Sequence, residues 1–173
     1  MIELRAVVES DAEALFPLVY RTAVTDTLVW DGPESLEAYR EGLRTRAGKM
    51  RDGSDMNYTM FDAEGRAVGA VGMLVDGYNR SATLGLWIGQ PYHGLGYGSH
   101  AVRRMVQIGL GELKLERMES RIYVGNVASR RVFEKNGFLL EGILRRVAFK
   151  RGMFLDEWVM GVVREDCAWL VEG

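Results

Sequence analysis

The 173-residue chain predicts an α/β (α+β) fold, with helices on a mixed, mostly antiparallel sheet of about seven strands and one central parallel pair. Three observations carry this. Residues 84–101 pass from an apolar run of strand character through Gly89, Gln90 and Pro91 into three alternate glycines, Gly94, Gly96 and Gly98, and then into helical spacing. The strand ending at Ile88 is the third of three joined by short turns, so these three run antiparallel. The helix after Gly98 returns the chain to a strand over 117–124 by a crossover, which makes that strand parallel to its predecessor.

In order, residues 2–8 read as a first strand. Ser10 with Glu13 three residues later predicts a capping box that opens a helix with Ala12, Leu15, Phe16 and Val19 inward. A connection containing Thr22, Thr25, Asp26, Thr27 and Trp30 leads past Pro33 to a second helix from about Ser35, with Leu36, Tyr39, Leu43, Ala47 and Met50 inward. This helix pair is where a substrate lid is expected.

Residues 56–61 and 67–75 form a hairpin through Asp62, Ala63, Glu64, Gly65 and Arg66, and 76–81 turn the chain into the strand that ends at Ile88. The helix from about Ser99 buries Val102, Met105, Val106, Gly109 and Leu113. After the strand over 117–124, Asn126 is placed to cap a short helix and Gly137 to end it in the left-handed conformation. Two long strands, 139–149 and 153–163, turn at Lys150, Arg151 and Gly152, and 164–173 read as a short helical tail. Trp30, Tyr39, Phe149, Phe154 and Trp158 are read mostly as core.

Composition bounds the function. With 22 basic against 24 acidic residues the net charge is −2, so no chain-wide field attracts nucleic acid or an anionic membrane, and neither partner is expected. Arg130, Arg131, Arg145, Arg146, Lys150 and Arg151 fall late in the chain and read as a solvated face, any one of them a candidate ligand contact. The single Cys167 forms no internal disulfide and fits a reducing compartment. The N-terminal residues lack a basic leader and an apolar core, and no run approaches a membrane span, so a soluble cytoplasmic protein is expected.

The glycine turn carries the first chemistry. A strand, a glycine-rich turn and a helix N-terminus aim bare backbone N–H groups and a partial positive charge at one point, which is an anion site, most naturally for phosphate. Glycine there permits positive φ and lets a phosphate approach without meeting a Cβ.

The turn His93, Gly94, Leu95, Gly96, Tyr97, Gly98 resembles the acetyl-CoA pyrophosphate signature of the Gcn5-related N-acetyltransferase (GNAT) superfamily. Asn126, Ser129, Phe133, Gly137 and Phe138 are similar to the second signature of its ribosomal-protein N-terminal acetyltransferase branch, and the order of elements matches over nearly the whole chain. The resemblance implies a single acetyltransferase domain over 1–173, with helices on both faces of the sheet. It implies acetyl-CoA as cosubstrate, no metal, and transfer of the acetyl group to a protein N-terminal α-amine or a small-molecule amine by direct attack in a ternary complex. A homodimer through the late strands is compatible with it.

By the same resemblance, the strand ending at Ile88 splays from its parallel neighbour. The pantetheine arm then pairs with the backbone of Leu86, Trp87 and Ile88, while His93, Gly94, Leu95, Gly96, Tyr97, Gly98 and Ser99 surround the pyrophosphate. Three features depart from the family pattern. His93 stands where Arg or Gln is usual, so the loop is expected to lose a bracing side chain. Phe133 replaces a tyrosine that protonates the leaving thiolate in many members, and Thr83 replaces an acid.

The chemistry needs a neutral amine, a polarised carbonyl, a stabilised oxyanion and a proton for the thiolate. Asn126 and Ser129 lie three apart at a helix start, so both reach one ligand; both are candidate catalytic and cofactor-binding residues, Ser129 as the proton donor. Glu119, Tyr123, Asp156, Glu157, His93 and His100 are the candidates for the base, as is a water chain. Two other readings compete. Gly96, Gly98 and Ala101 with Glu119 fit a dinucleotide fingerprint, although three antiparallel strands precede it. A non-catalytic acyl-CoA-binding or regulatory module would keep the fold without the chemistry.

Overall fold

The computed structural model describes residues 1–50 and 53–170. Seven strands form one sheet in the order β1-β2-β3-β4-β5-β7-β6. They are β1 (Glu3–Ala6), β2 (Asp55–Phe61), β3 (Ala67–Asp76), β4 (Ser81–Ile88), β5 (Arg117–Tyr123), β6 (Leu139–Lys150) and β7 (Met153–Val163). Every neighbouring pair is antiparallel except β4 and β5. Four helices join them: α1 (Ala12–Val19), α2 (Leu36–Lys49), α3 (Tyr97–Val106) and α4 (Val127–Glu134).

Alternation along the strands divides the core in two. On one face Met60, Val71, Met73, Leu84, Met118, Ile122 and Met160 meet Ala101, Val102, Met105 and Val106 of α3 and Phe133 of α4. On the other, Phe61 and Ala67 meet Ala12, Leu15 and Val19 of α1 and Tyr39 and Leu43 of α2, with Trp87 packed alongside. Helices therefore cover both faces.

Three local expectations are corrected. Ser10 and Glu13 form no capping box. A short 3-10 turn over Glu9–Asp11 precedes α1, Asp11 Oδ2 accepts from the Val8 N–H (3.1 Å) and the Thr59 hydroxyl (2.6 Å), and Glu13 binds Arg40 instead. Leu113 is 43% exposed, because α3 runs on into a π-helical turn, Gln107–Glu112, whose wider winding rotates the face away. Phe149 and Phe154 are exposed and meet at a tilt of 55° at the hairpin tip, whereas Tyr39 is buried. The expected caps are found elsewhere. Ser35 accepts from the Ala38 N–H at the start of α2, and Gly137 ends α4 at φ +88°. The tail makes two 3-10 turns, Arg164–Asp166 and Ala168–Leu170, and its last three residues lie outside the described residues.

Candidate active site

The parallel pair is short. β4 and β5 are in register only at Ser81–Arg117, Ala82–Met118 and Thr83–Glu119, and β5 continues instead against β7 out to Tyr123–Glu157. From Leu84 to Ile88, β4 keeps its β3 partner but has none on the β5 side. Alternate residues there turn backbone groups to a gap between the two strands, the Ile88 carbonyl alone among them being taken by a side chain of the described residues, which suits a slender chain bearing amides.

Two cavities meet at this gap. The first, of about 640 Å³, lies on the α3 and α4 side. Leu86, Trp87, Ile88, His93, Gly94, Gly96, Tyr97, Gly98, Ser99, Asn126 and Ser129 all line it. Leu95, 59% exposed, stands outside it. The second, of about 710 Å³, lies on the α1 and α2 side between Trp30, Tyr39, Leu43 and Arg46, the β2–β4 face at Asp55, Asn57, Gly72 and Gly85, and Val147, Ala148 and Phe149 of the late hairpin. Leu28, Val29, Gly85, Leu86, Trp87, Arg121, Tyr123 and Glu157 border both.

The turn into α3 is built for an anion. Gly94 at φ +78° and Gly96 at φ +80° hold the left-handed conformation, and the first helical donor satisfied within the chain is His100 N–H, on Gly96 O (3.2 Å). The N–H groups of Tyr97, Gly98 and Ser99 ahead of it face the cavity end without helical acceptors. The expected loss of a loop brace is corrected: His93 Nε2 lies 2.9 Å from Ile88 O, so the ring donates and ties the turn to the end of β4.

On α4, Asn126 Oδ1 accepts from Ser129 N–H (3.1 Å), so the Asn126 side chain caps the helix while bordering the cavity. Asn136 Nδ2 donates to both Val132 O (2.8 Å) and Ser99 Oγ (3.1 Å), locking α4 against the first turn of α3. Phe133 is buried edge-on against Phe138.

The structure separates the candidate bases. Glu119 is engaged by Arg117 (3.1 Å), Asp156 Oδ1 accepts from Arg146 N–H (2.7 Å), and His100 borders neither cavity. Glu157 is 5% exposed at the junction of the two cavities, and its carboxylate accepts no hydrogen bond among the described residues. Burial pushes its pKa above the usual carboxylate range, with Arg121 partly opposing the rise. Burial and the Glu157 charge likewise push up Tyr123, whose hydroxyl donates to Leu28 O (3.4 Å).

A family model described as an acetyltransferase (GNAT) domain matches residues 2–139. The chain belongs to the GNAT acetyltransferase family. As a GNAT chain it is an acyltransferase enzyme, and acetyl transfer to an amine is the family's general reaction. It is similar to the putative ribosomal N-acetyltransferase YdaF of Bacillus subtilis, 31% identical over 163 residues, 90% of this chain and 87% of that one. A crystal structure of a probable acetyltransferase superposes with a TM-score of 0.89 at 27% identity, covering 95% and 94% of the two chains. RimL, a ribosomal L7/L12 α-N-protein acetyltransferase in complex with coenzyme A, shares the fold with a TM-score of 0.88 at 23% identity, covering 94% and 93%.

One part of this GNAT site was missed in the sequence, and another, Glu157, was named there but not singled out. The connector between α1 and α2 supplies Ala23, Val24, Thr27, Leu28 and Val29 to the first cavity, yet it has no periodicity to announce a surface. It is pinned by the late hairpin, where buried Lys150 Nζ donates to Asp31 Oδ1 (2.7 Å) and Trp30 O (3.3 Å) and Arg151 pairs with Asp26 (2.6 Å). The proximity of Asp26 and Asp31 to a basic hairpin over a hundred residues away leaves no trace in local spacing. Glu157 was one acid among several, and only its burial at the junction sets it apart.

Proposed function

We propose that this chain, as a single acetyltransferase domain over residues 1–173, transfers an acetyl group from acetyl-CoA to a primary amine by direct attack in a ternary complex. The observation that carries this reading is the parting of β4 from β5 after three pairs, with a buried carboxylate that accepts no hydrogen bond among the described residues at the point where two cavities meet. The cavity on the α3 and α4 side takes acetyl-CoA: the α3 N-terminus and the glycine turn face the pyrophosphate, and the free edge of Leu86, Trp87 and Ile88 pairs with the pantetheine amides. Acetyl-CoA supplies an activated thioester carbonyl there. The second cavity takes the acceptor.

Glu157 accepts a proton from the acceptor ammonium so that the amine attacks as a neutral nucleophile; burial makes it a better base than a solvated carboxylate. A β4 backbone N–H at the gap polarises the carbonyl and holds its developing negative charge. Ser129, exposed to the same cavity one turn before Phe133, passes a proton to the departing sulfur, the task that Phe133 cannot perform, and regains one through solvent as the attacking nitrogen sheds its second proton. Asn126 fixes the helix start that orients Ser129.

The acceptor is a protein N-terminal α-amine or a small-molecule amine, and the likeness to a chain named for ribosomal acetylation supports the former. The proposal is tested by thermal shift with acetyl-CoA, CoA and NADH, followed by thiol release over a panel of peptides and small amines. A ligand at about 100 times its dissociation constant adds roughly 2.7 kcal/mol, a shift of several degrees. Stabilisation by CoA compounds with thiol release is expected; stabilisation by NADH alone overturns the reading, and CoA binding with no release on any amine leaves a binding module.

A further inference from the structure

Two glycines lie on the floor of the second cavity beside the gap. By alternation, Ala82 and Leu84 of β4 and Met118 and Ile122 of β5 face α3, so Gly85 and Arg121 face the other way, into the cavity on the α1 and α2 side. Gly85 pairs with Gly72 across β4 and β3, and a Cβ on Gly85 would meet nothing within 4 Å. The next position in that row belongs to β5. Were the Thr83–Glu119 register to run on by two residues, Arg121 would stand opposite Gly85; the strands part instead, and Arg121 is left on the far side of the gap from this bare strip of β4.

The Arg121 side chain is loosely held and 50% exposed. Its ion-pair partner, Glu119, stands 3.6 Å from Nε and accepts a hydrogen bond from Arg117 at 3.1 Å instead. Among the described residues the Arg121 side chain makes no hydrogen bond and no ring contact. The cavity's other guanidinium, Arg46, stands on the α2 wall over the Trp30 ring at 5.9 Å. Arg121 is therefore the cation placed where the two cavities join, with its donors open to a ligand.

A thioester whose pantetheine arm fills the gap delivers its acyl group at this point. An acetyl group ends at its methyl and uses neither the bare strip nor the guanidinium. We propose that the chain also takes acyl-CoA donors whose acyl chain ends in a second carboxyl group, as in succinyl-CoA, the methylenes lying over Gly85 and the carboxylate on Arg121. This rests on the acetyl-CoA reading of the site. Gly85 leaves the width that a longer chain needs, and the planar fork of Arg121 matches a carboxylate. A carboxylate on the acceptor is the competing use of Arg121, but the acyl group enters between β4 and β5, whereas the amine is drawn to Glu157 on β7. The transfer balances as it does for acetyl. The amine nitrogen bonds to the thioester carbon, the C–S electron pair leaves on sulfur, and an ammonium acceptor with succinyl-CoA gives an N-succinyl amide, CoA thiol and one proton for solvent.

The test is isothermal titration of acetyl-CoA, butyryl-CoA and succinyl-CoA into the wild-type chain, Arg121→Leu and Gly85→Val; the last two compounds share a chain length and differ in the terminal carboxylate. Wild type is expected to bind succinyl-CoA about tenfold more tightly than butyryl-CoA. Arg121→Leu should erase that preference while the ratio of butyryl-CoA to acetyl-CoA affinity changes by less than about twofold, and Gly85→Val should weaken both longer compounds more than acetyl-CoA. On an amine that the wild type acetylates, succinyl-CoA should also release thiol and yield the N-succinyl product by mass. Equal affinity of wild type for succinyl-CoA and butyryl-CoA overturns the proposal, as does a preference that survives in Arg121→Leu, or binding of succinyl-CoA without transfer to such an amine. Equal affinity together with a preference for carboxylate-bearing acceptors that Arg121→Leu removes overturns it in favour of the acceptor as the ligand of Arg121. Failure of all three compounds to bind wild type overturns the acetyl-CoA reading itself, a result distinct from these.

Discussion

Glu157 of β7 and Tyr123 of β5 are cross-strand partners, and both face the two cavities where β4 parts from β5. Each is a buried acid raised by desolvation, and the charge of one raises the other. A carboxylate in that position is poor for folding and useful for taking a proton.

Glu157→Gln separates the two effects. Turnover should fall about 10²- to 10⁴-fold, the range for loss of a positioned base, with CoA affinity nearly unchanged. Stability should move the other way. A folded-state pKa above the unfolded one means the native chain binds more protons between the two values, so the wild type loses stability as pH rises from the ordinary carboxylate range through that window. The glutamine variant lacks this loss, so its melting midpoint should exceed wild type at neutral pH and the difference should shrink on acidification; scanning calorimetry across pH measures it.

Ser129→Ala should lower turnover by about 10²-fold or more, within the range for a lost proton donor, while the CoA dissociation constant changes little. Steady-state kinetics paired with titration checks this. Unchanged turnover removes Ser129 as the donor.

Gly69→Ala reaches the site from β3. A Cβ there would stand 2.2 Å from Trp87 O and 3.0 Å from Ile88 Cα, so the β4 backbone must move. Overpacking of this kind costs about 1–3 kcal/mol. CoA affinity should fall as well, because the Trp87–Ile88 backbone that must shift borders the α3-side cavity; chemical denaturation and CoA titration read the two losses.

Lys150→Ala should raise the KM for the acceptor and leave CoA affinity intact. The lysine is 6% exposed and joins the late hairpin to Asp31 and to the O atom of Trp30, which lines the second cavity and not the first. A matching rise in the CoA dissociation constant would show that the clasp serves both cavities.

Much of this was legible in the sequence because it is local. The order of strands and helices follows from period-2 and period-3.6 patterning, the anion turn from Gly94 and Gly96, and the α4 cap from Asn126, each a matter of neighbours within four residues. Ser10 and Glu13 misled because Asp11 closes the turn two residues earlier, accepting from the Val8 N–H, and also accepts from Thr59 on β2, 48 residues away. His93 was underrated for a similar reason: the family's usual side chain differs, yet an imidazole reaches Ile88 O equally well. Glu157, Lys150 and the 23–29 connector acquire their roles only from burial and long-range approach, which no spacing along the chain encodes.

The free edge of β4 makes a substrate into a temporary member of the sheet. Backbone amides of Leu84–Ile88 that point toward β5 have no strand to shield them, so hydrogen exchange there should be rapid in the ligand-free chain and slow sharply once a pantetheine arm lies alongside. Occupancy would then be recorded in the skeleton of the protein as well as in its pocket, and the rigidity of the central sheet would rise and fall with each turnover.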